Sequence, residues 1–328
     1  MINVNNIVKN IIEYNYCSNQ NKDIVNICYG IDNNFARCTA SSIISFVQNN
    51  LDVNFRFNLI VEALSDTNKI RFKNFAEKYK LNIIIYEIDS TDFEKLNLPT
   101  KKQWPISIYF RCLFPIILSN VNKVFYIDAD IICLNSAKSL FDVNLDNKVV
   151  GAVKGSEWGN KYRNKALGLK NHIYFNSGVL VIDVIKWNKN NISTLMINEL
   201  IKSPDKFELP DQDVLNLVLT GNIKYLETKY NWFNHLHTDV STIKRNEIVL
   251  IHFTASPKPW NKCWQISKIC NDFNKNIYSY YEKMTPWADD ELFDPKLKEE
   301  QKDYLKYLLK HLKMITFFKY LYKYFITI

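Results

Sequence analysis

Short apolar runs alternate along this chain with longer stretches in which apolar residues return every three or four positions, the two periods of strand and helix. The runs at 24–29, 55–61 and 82–88 read as strands, and the stretches at 36–48 and 68–79 as helices. Alternation of this kind predicts an α/β sheet with parallel strands. The turn Gly30-Ile31-Asp32-Asn33-Asn34 joins the first strand to its helix, and residues 1–23 read as a polar lead-in. Residues 106–118 have helical spacing but contain Pro115, which should kink or end the helix. A strand opening at Lys123 follows, then strands at 148–153 and 177–183 and a helix over 187–201. Leu209-Pro210-Asp211-Gln212-Asp213 opens a short helix with Val214, Leu215, Val218 and Leu219 on one face, and Gly221 stops it. Residues 248–253 make the last buried strand.

The pattern changes near residue 284. Met284-Thr285-Pro286-Trp287 and Asp294-Pro295 act as punctuation, and from Lys296 the chain becomes lysine-rich, aromatic and helical in spacing. From Tyr304 onward Lys306, Lys310, Lys313, Lys319 and Lys323 stand without a single acid. Two readings stay open: a helix packed on the main domain, or a helix lying on a membrane surface. In the second, lysines occupy one side and Leu305, Leu308, Leu309, Leu312, Ile315 and Phe318 another.

With 328 residues and 47% hydrophobic content, the chain can bury a substantial core as one large domain with an appendage. Its net charge of +8 implies attraction to anions without naming them. The seven cysteines, an odd count with no C-x-x-C pair, mostly lie in apolar stretches and read as reduced core residues of a cytosolic protein. The first twenty residues lack the basic start and apolar core of a secretory signal, and no apolar run is long enough to span a bilayer.

Chemistry enters at Lys123-Val124-Phe125-Tyr126-Ile127-Asp128-Ala129-Asp130-Ile131-Ile132. Two carboxylates one residue apart, flanked by buried-strand residues, are costly unless something positive neutralises them, and a divalent ion does this well. A lone D-x-D is also common as a strand-ending turn. Asp32 with Asn34, Asp211 with Gln212, and His252 with Lys258 likewise fall at strand ends or a helix start. In an open α/β sheet such positions converge on one crevice. Two aspartates and an imidazole suit an ion of the Mn2+ or Mg2+ kind, and Lys258 would add charge for a diphosphate. His172, His235, His237 and His311 read as ordinary structural histidines, while Trp104, Trp158 and Trp260 fall near the polar clusters and could face a sugar.

At these residues the chain resembles the retaining glycosyltransferases of family 8, which carry the nucleotide-diphospho-sugar GT-A fold. It is most similar to the bacterial lipopolysaccharide core glucosyl- and galactosyltransferases. The supporting stretches, in the family's order, are Tyr29 to Phe35, Tyr109-Phe110-Arg111, Tyr126 to Asp130, Tyr174 to Gly178, Asp211 to Asn216, and Ile251-His252-Phe253 through Lys258-Pro259-Trp260. The resemblance implies a Rossmann-like mixed sheet flanked by helices, with lead-in 1–23, catalytic domain 24–275 and a basic helical appendage 276–328. It implies Asp128, Asp130 and His252 as ligands of Mn2+ or Mg2+. Donor contacts are implied for Asp32, Asn34, Arg111, Asp128, Ala129, Asp130, Asn176, Ser177, Asp211, Gln212 and Lys258, with Asp211, Gln212 and Asn176 at the catalytic centre.

Two residues depart from the family pattern. Ala255 stands where relatives often have glycine, and Gly155 lies near a place where a related enzyme has an acid contacting the sugar, a contact Glu157 could take over. The implied activity is metal-dependent transfer of glucose or galactose from a UDP-sugar, with retention, to a lipid-linked oligosaccharide such as the lipopolysaccharide core. It would take place on the cytoplasmic face of the inner membrane. A transferase of a capsule or protein-linked glycan, or a non-catalytic nucleotide-sugar binder on the same fold, are the alternatives. A nucleic-acid partner is not expected, since the basic tail carries no nucleic-acid motif and the site is acidic.

Overall fold

The computed structural model describes residues 7–17, 23–91, 98–99, 105–236 and 244–326. Eleven described strands run Val8–Asn15 (β1), Ile24–Ile31 (β2), Asn54–Val61 (β3), Asn82–Ile88 (β4), Lys123–Ile127 (β5), Ile131–Cys133 (β6), Val150–Lys154 (β7), Phe175–Asp183 (β8), Ile223–Leu226 (β9), Trp232–Phe233 (β10) and Leu250–His252 (β11). Eight form one sheet in the order β1-β4-β3-β2-β5-β8-β7-β9, and β10-β11-β6 form a small second sheet. The fold is the expected mixed α/β sheet flanked by helices.

An all-parallel sheet is not what forms. β4, β3, β2 and β5 are parallel, but β8 runs antiparallel to both β5 and β7. Reversing β8 brings its first residues, Asn176 and Ser177, to the edge where β2 and β5 end, so both chain directions contribute to one crevice. Part of the lead-in is also structured: β1 pairs antiparallel with β4 along the sheet edge. Its side chains are mostly exposed, so its apolar pattern is weak.

Two expected helices divide. Residues Ile106–Cys112 form a tight 3-10 segment and Phe114–Ile117 one α-turn, with Pro115 in the first turn, where its missing N–H costs nothing. Gly30 allows this segment to lie on β2, since a Cβ there would come within 2.9 Å of the Phe110 Cβ. The stretch 187–201 breaks into Val184–Lys189 and Ile192–Lys202, because Asn191 takes the left-handed conformation (φ 51°) that asparagine tolerates. The last strand is shorter than 248–253 and belongs to the small sheet, with His252 at its end.

The core has two layers, one on each side of the large sheet. Phe46, Phe57, Phe72 and Phe75 fill the side covered by the helices Ala36–Asn49 and Asp66–Tyr79, and Tyr109, Phe114, Trp187 and Met196 fill the other.

Residues after 276 are stitched to the first layer. Arg37 pairs with Glu282 in full burial and donates to the backbone oxygens of Glu291 (2.7 Å) and Asp290 (3.1 Å). Trp287 packs edge-on against Phe72 at 5.0 Å, and Arg71 holds Asp290 through two bonds of 2.7 and 2.8 Å.

The final helices, Lys298–Lys310 and Met314–Ile326, fold back on each other where Leu312 adopts a positive φ of 52°. Tyr304, Leu305, Leu308 and Tyr320 close a small core with Cys263. Ile315, Phe318, Tyr322 and Phe325 remain outside as one exposed stripe, Ile315 at 90%. Leu305 and Leu308, expected on the apolar side of a membrane-surface helix, instead pack inside this pair, while Leu309, Leu312, Ile315 and Phe318 stay exposed. Among the described residues no helix is long and apolar enough to cross a membrane.

Removing one member of a buried ion pair strands the other charge, at a cost of about 3–5 kcal/mol. Arg37→Ala should lower unfolding stability on that scale in a urea titration at unchanged slope; a shift of the midpoint within error would show that this pair does not anchor the segment.

Candidate active site

β5 ends at Ile127, and the chain turns through Asp128-Ala129-Asp130 before β6. Three backbone bonds hold the turn: Asp128 N–H donates to Gly178 O at 2.8 Å, Ile131 N–H to Asp128 O at 3.2 Å, and Phe253 N–H to Asp130 O at 3.0 Å. Ala129, 7% exposed, tucks its methyl into the core between the two carboxylates. β11 pairs with β6 and delivers His252 opposite them. One ligand atom from each of Asp128, Asp130 and His252 lies within 4.8 Å of the others. Space around them is kept by Gly178, whose Cβ would fall 2.4 Å from His252 Cε1 and 2.7 Å from Asp128 Oδ2.

Cations already attend these acids. Lys258 Nζ donates to Asp130 Oδ2 at 2.7 Å, and Arg111 Nη2 to Asp128 Oδ1 at 3.1 Å. Burial alone would raise the Asp130 pKa, but Lys258 and His252 together hold it well below the usual carboxylate range. Tyr126 also donates its hydroxyl to Asp128 Oδ1 at 2.8 Å, and the Arg111 guanidinium lies over its ring at 4.6 Å.

Arg111 joins this end of the site to a second one. Its Nη1 reaches Asp211 Oδ2 at 3.0 Å and the backbone oxygen of Ser177 at 2.8 Å. Asp211 sits in the first turn of the Pro210–Val218 helix, where the helix dipole favours a negative charge, and it accepts from Ser177 Oγ at 3.0 Å. Burial nonetheless raises its pKa, with Arg111 opposing. Gln212 Oε1 accepts from Ser177 N–H (3.1 Å) and from Asn176 Nδ2 (2.8 Å), while its Nε2 donates to Tyr174 O–H at 3.1 Å. Ten of the eleven residues expected at the donor or catalytic site lie after β2, β5 or β11, at the start of β8, or in the helix it faces. Arg111 comes from the 3-10 segment packed against them.

Asp32 and Asn34 stand apart from this network. Asp32 Oδ1 accepts the backbone N–H of Asn34 and Phe35, capping the turn that starts the next helix. Asn34 is exposed and lines a cavity of about 570 Å³ with Lys262, Asp294, Tyr304, Lys319 and Tyr320. Glu157 and Trp158 are exposed, Trp260 is buried against Phe35, and Trp104 and His237 lie outside the described residues.

Sequence reasoning missed Tyr126, Tyr174 and Asn231. Asn231 is 2% exposed and bridges His252 Nδ1 (2.8 Å) and Asn176 Oδ1 (2.7 Å). In an asparagine-rich chain it carried no local signal. Asp213, by contrast, belongs to the scaffold: it accepts from Arg163, Tyr174 and the backbone N–H groups of Glu208 and Leu209.

The arrangement offers clustered anionic and imidazole donors fit for a hard divalent cation, bordered by two basic side chains and by a carboxylate–amide pair. Gly178→Ala should raise the dissociation constant for Mn2+ at least tenfold, because the methyl occupies space between His252 and Asp128. Unchanged Mn2+ affinity in a titration of the folded variant would contradict the placement.

A family model described as glycosyl transferase family 8 matches residues 26–263. A lipopolysaccharide 1,3-galactosyltransferase of Salmonella typhimurium is 28% identical, covering 93% of this chain and 90% of its own length. Lipopolysaccharide glucosyltransferase WaaO of Escherichia coli is 30% identical with the same coverage, 93% and 90%. Among solved structures, galactosyltransferase LgtC in complex with donor and acceptor sugar analogs superposes with a TM-score of 0.70. It covers 85% of this chain and all of that one at 20% identity, a likeness of fold.

Proposed function

The chain belongs to glycosyl transferase family 8, and from that premise we propose that it transfers glucose or galactose from a UDP-sugar to the lipopolysaccharide core. The observation that carries this reading is the junction at Arg111, which touches both the Asp128 end of the acidic cluster and Asp211. A diphosphate laid against the first places the attached sugar against the second. Asp128, Asp130 and His252 would hold Mn2+ or Mg2+, which when bound neutralises charge building on the leaving diphosphate.

The protein's own residues do the rest. Lys258, whose ammonium now faces Asp130, is placed to share itself with a diphosphate oxygen, and Arg111 adds a fixed positive charge to the same crevice. Asp211 and Gln212 orient the donor sugar and steady positive charge on its ring as the anomeric bond breaks. A hydrolase-like double displacement would need a nucleophilic carboxylate below the sugar, and the amide of Gln212 is a poor nucleophile. The route proposed is therefore front-face. The acceptor hydroxyl oxygen bonds to the anomeric carbon, the carbon–oxygen bond to the diphosphate breaks, and the hydroxyl proton passes to the departing phosphate. Configuration is retained. Asp32 and Asn34, at the end of β2, are assigned to the uridine and ribose.

The exposed stripe Ile315, Phe318, Tyr322 and Phe325 with Lys310, Lys313 and Lys319 is assigned to an anionic lipid surface on the cytoplasmic side. Each apolar side chain buried there would contribute about 1.5–3 kcal/mol, and each nearby lysine about 1 kcal/mol. Such a contact would keep the enzyme beside a lipid-linked acceptor.

The test is release of UDP by the purified protein with Mn2+ and a panel of UDP-sugars, with and without truncated lipopolysaccharide core. Release with UDP-glucose or UDP-galactose, stimulated by the core and lost in Asp130→Asn, is expected. No release with any donor sinks the reading. Replacing the four stripe residues by serine should weaken binding to phosphatidylglycerol vesicles and leave turnover of the free donor intact. Equal vesicle binding would remove the membrane assignment.

A further inference from the structure

We infer that Asn231 is a positioning residue that selects the metal-ready tautomer of His252 and ties the metal end of the site to the sugar end. The inference rests on the metal reading above. Its strength is that the direction of every hydrogen bond follows from two backbone N–H groups, which can only donate.

The first is Gly178 N–H, 2.9 Å from one terminal atom of the Asn176 amide, which makes that atom the oxygen. The second is Ser177 N–H, which makes the facing atom of Gln212 an oxygen as well. Asn176 therefore presents Oδ1 to Asn231 and Nδ2 to Gln212. Facing an oxygen at 2.7 Å, Asn231 must present its Nδ2, and its Oδ1 then points at His252 Nδ1, 2.8 Å away. His252 must donate from Nδ1, so in the neutral ring Nε2 carries the lone pair. Nε2 is the atom that faces Asp130 at 3.1 Å and Asp128 at 3.8 Å.

Asn231 thus turns a third electron-pair donor toward the point that the Asp128 and Asp130 carboxylates already face, the complement of a cation. Asn231 is 2% exposed and His252 3%, so water does not substitute for either bond. The same chain continues through Asn176 and Gln212 to Tyr174 and Asp213, and the side chains that grip the donor sugar share a hydrogen-bond line with the imidazole that grips metal.

The two amide faces of Asn231 can be separated by substitution. Asn231→Asp keeps an acceptor for His252 but places an oxygen against Asn176 Oδ1. Asn231→Leu removes both bonds. With the full-length chain and no donor present, Mn2+ affinity is read from the electron paramagnetic resonance of free ion. Asn231→Leu should weaken it about 10- to 100-fold, the usual penalty for losing a partner behind a ligating histidine. Asn231→Asp should hold Mn2+ within a fewfold of the native chain yet raise KM for the UDP-sugar.

Native Mn2+ affinity in Asn231→Leu, or equal loss in both variants, overturns the inference, the second because it marks a merely structural role. Asp130→Asn separates the two levels of the argument. If it too binds Mn2+ like the native chain, the metal reading falls and takes the relay with it; if it alone loses the ion, only the relay falls.

Discussion

Two carboxylates and an imidazole held within 4.8 Å of one another repel unless positive charge lies among them, and much of the surrounding architecture answers that demand. Lys258 and Arg111 are drawn to the outer oxygens of Asp130 and Asp128. Gly178 keeps the centre clear, since any side chain there would enter it. The reversed strand β8 supplies Gly178, Ser177 and Asn176 at the one edge where β2 and β5 also end. The small sheet seats His252 by pairing β11 with β6, so the third donor arrives on a different layer from the first two. The direction of one strand, a glycine and the meeting of two sheets thus converge on a few charged atoms.

Arg111 turns this cluster into a site with two ends. Its guanidinium is almost fully buried, bonded to a backbone oxygen and shared between Asp128 and Asp211. The position is rigid, because the ring of Tyr126 lies beneath it and the 3-10 segment that carries it packs tightly on Gly30. Such preorganisation lowers a barrier without costing reorganisation at the moment of reaction.

Much of this was legible in the sequence because it depends on short local patterns. Asp128 and Asp130 interrupt a buried strand, Asp211 and Gln212 open a helix, and His252 closes a strand; each placement is visible without tertiary information, and the family resemblance ties them together. What escaped depends on long-range pairing. Antiparallel β8 reads like any buried strand, since a strand covered on both faces has the same apolar run in either direction. β1 sits on the sheet edge with mostly exposed side chains and so looked like a lead-in. The helix breaks at Asn191 and Leu312 rest on single left-handed residues, one of them a leucine that gives no warning. Asn231 was invisible because an asparagine gains meaning only from what its two faces touch.

The central claim, that Asp128, Asp130 and His252 form the metal end of a donor site, meets its most direct test in crystals grown with Mn2+ and UDP and measured for anomalous scattering. The account predicts one strong peak among the carboxylates of Asp128 and Asp130 and Nε2 of His252, beside the diphosphate of UDP. Ordered UDP with no anomalous peak at these three residues, or with the peak bound elsewhere, would contradict it.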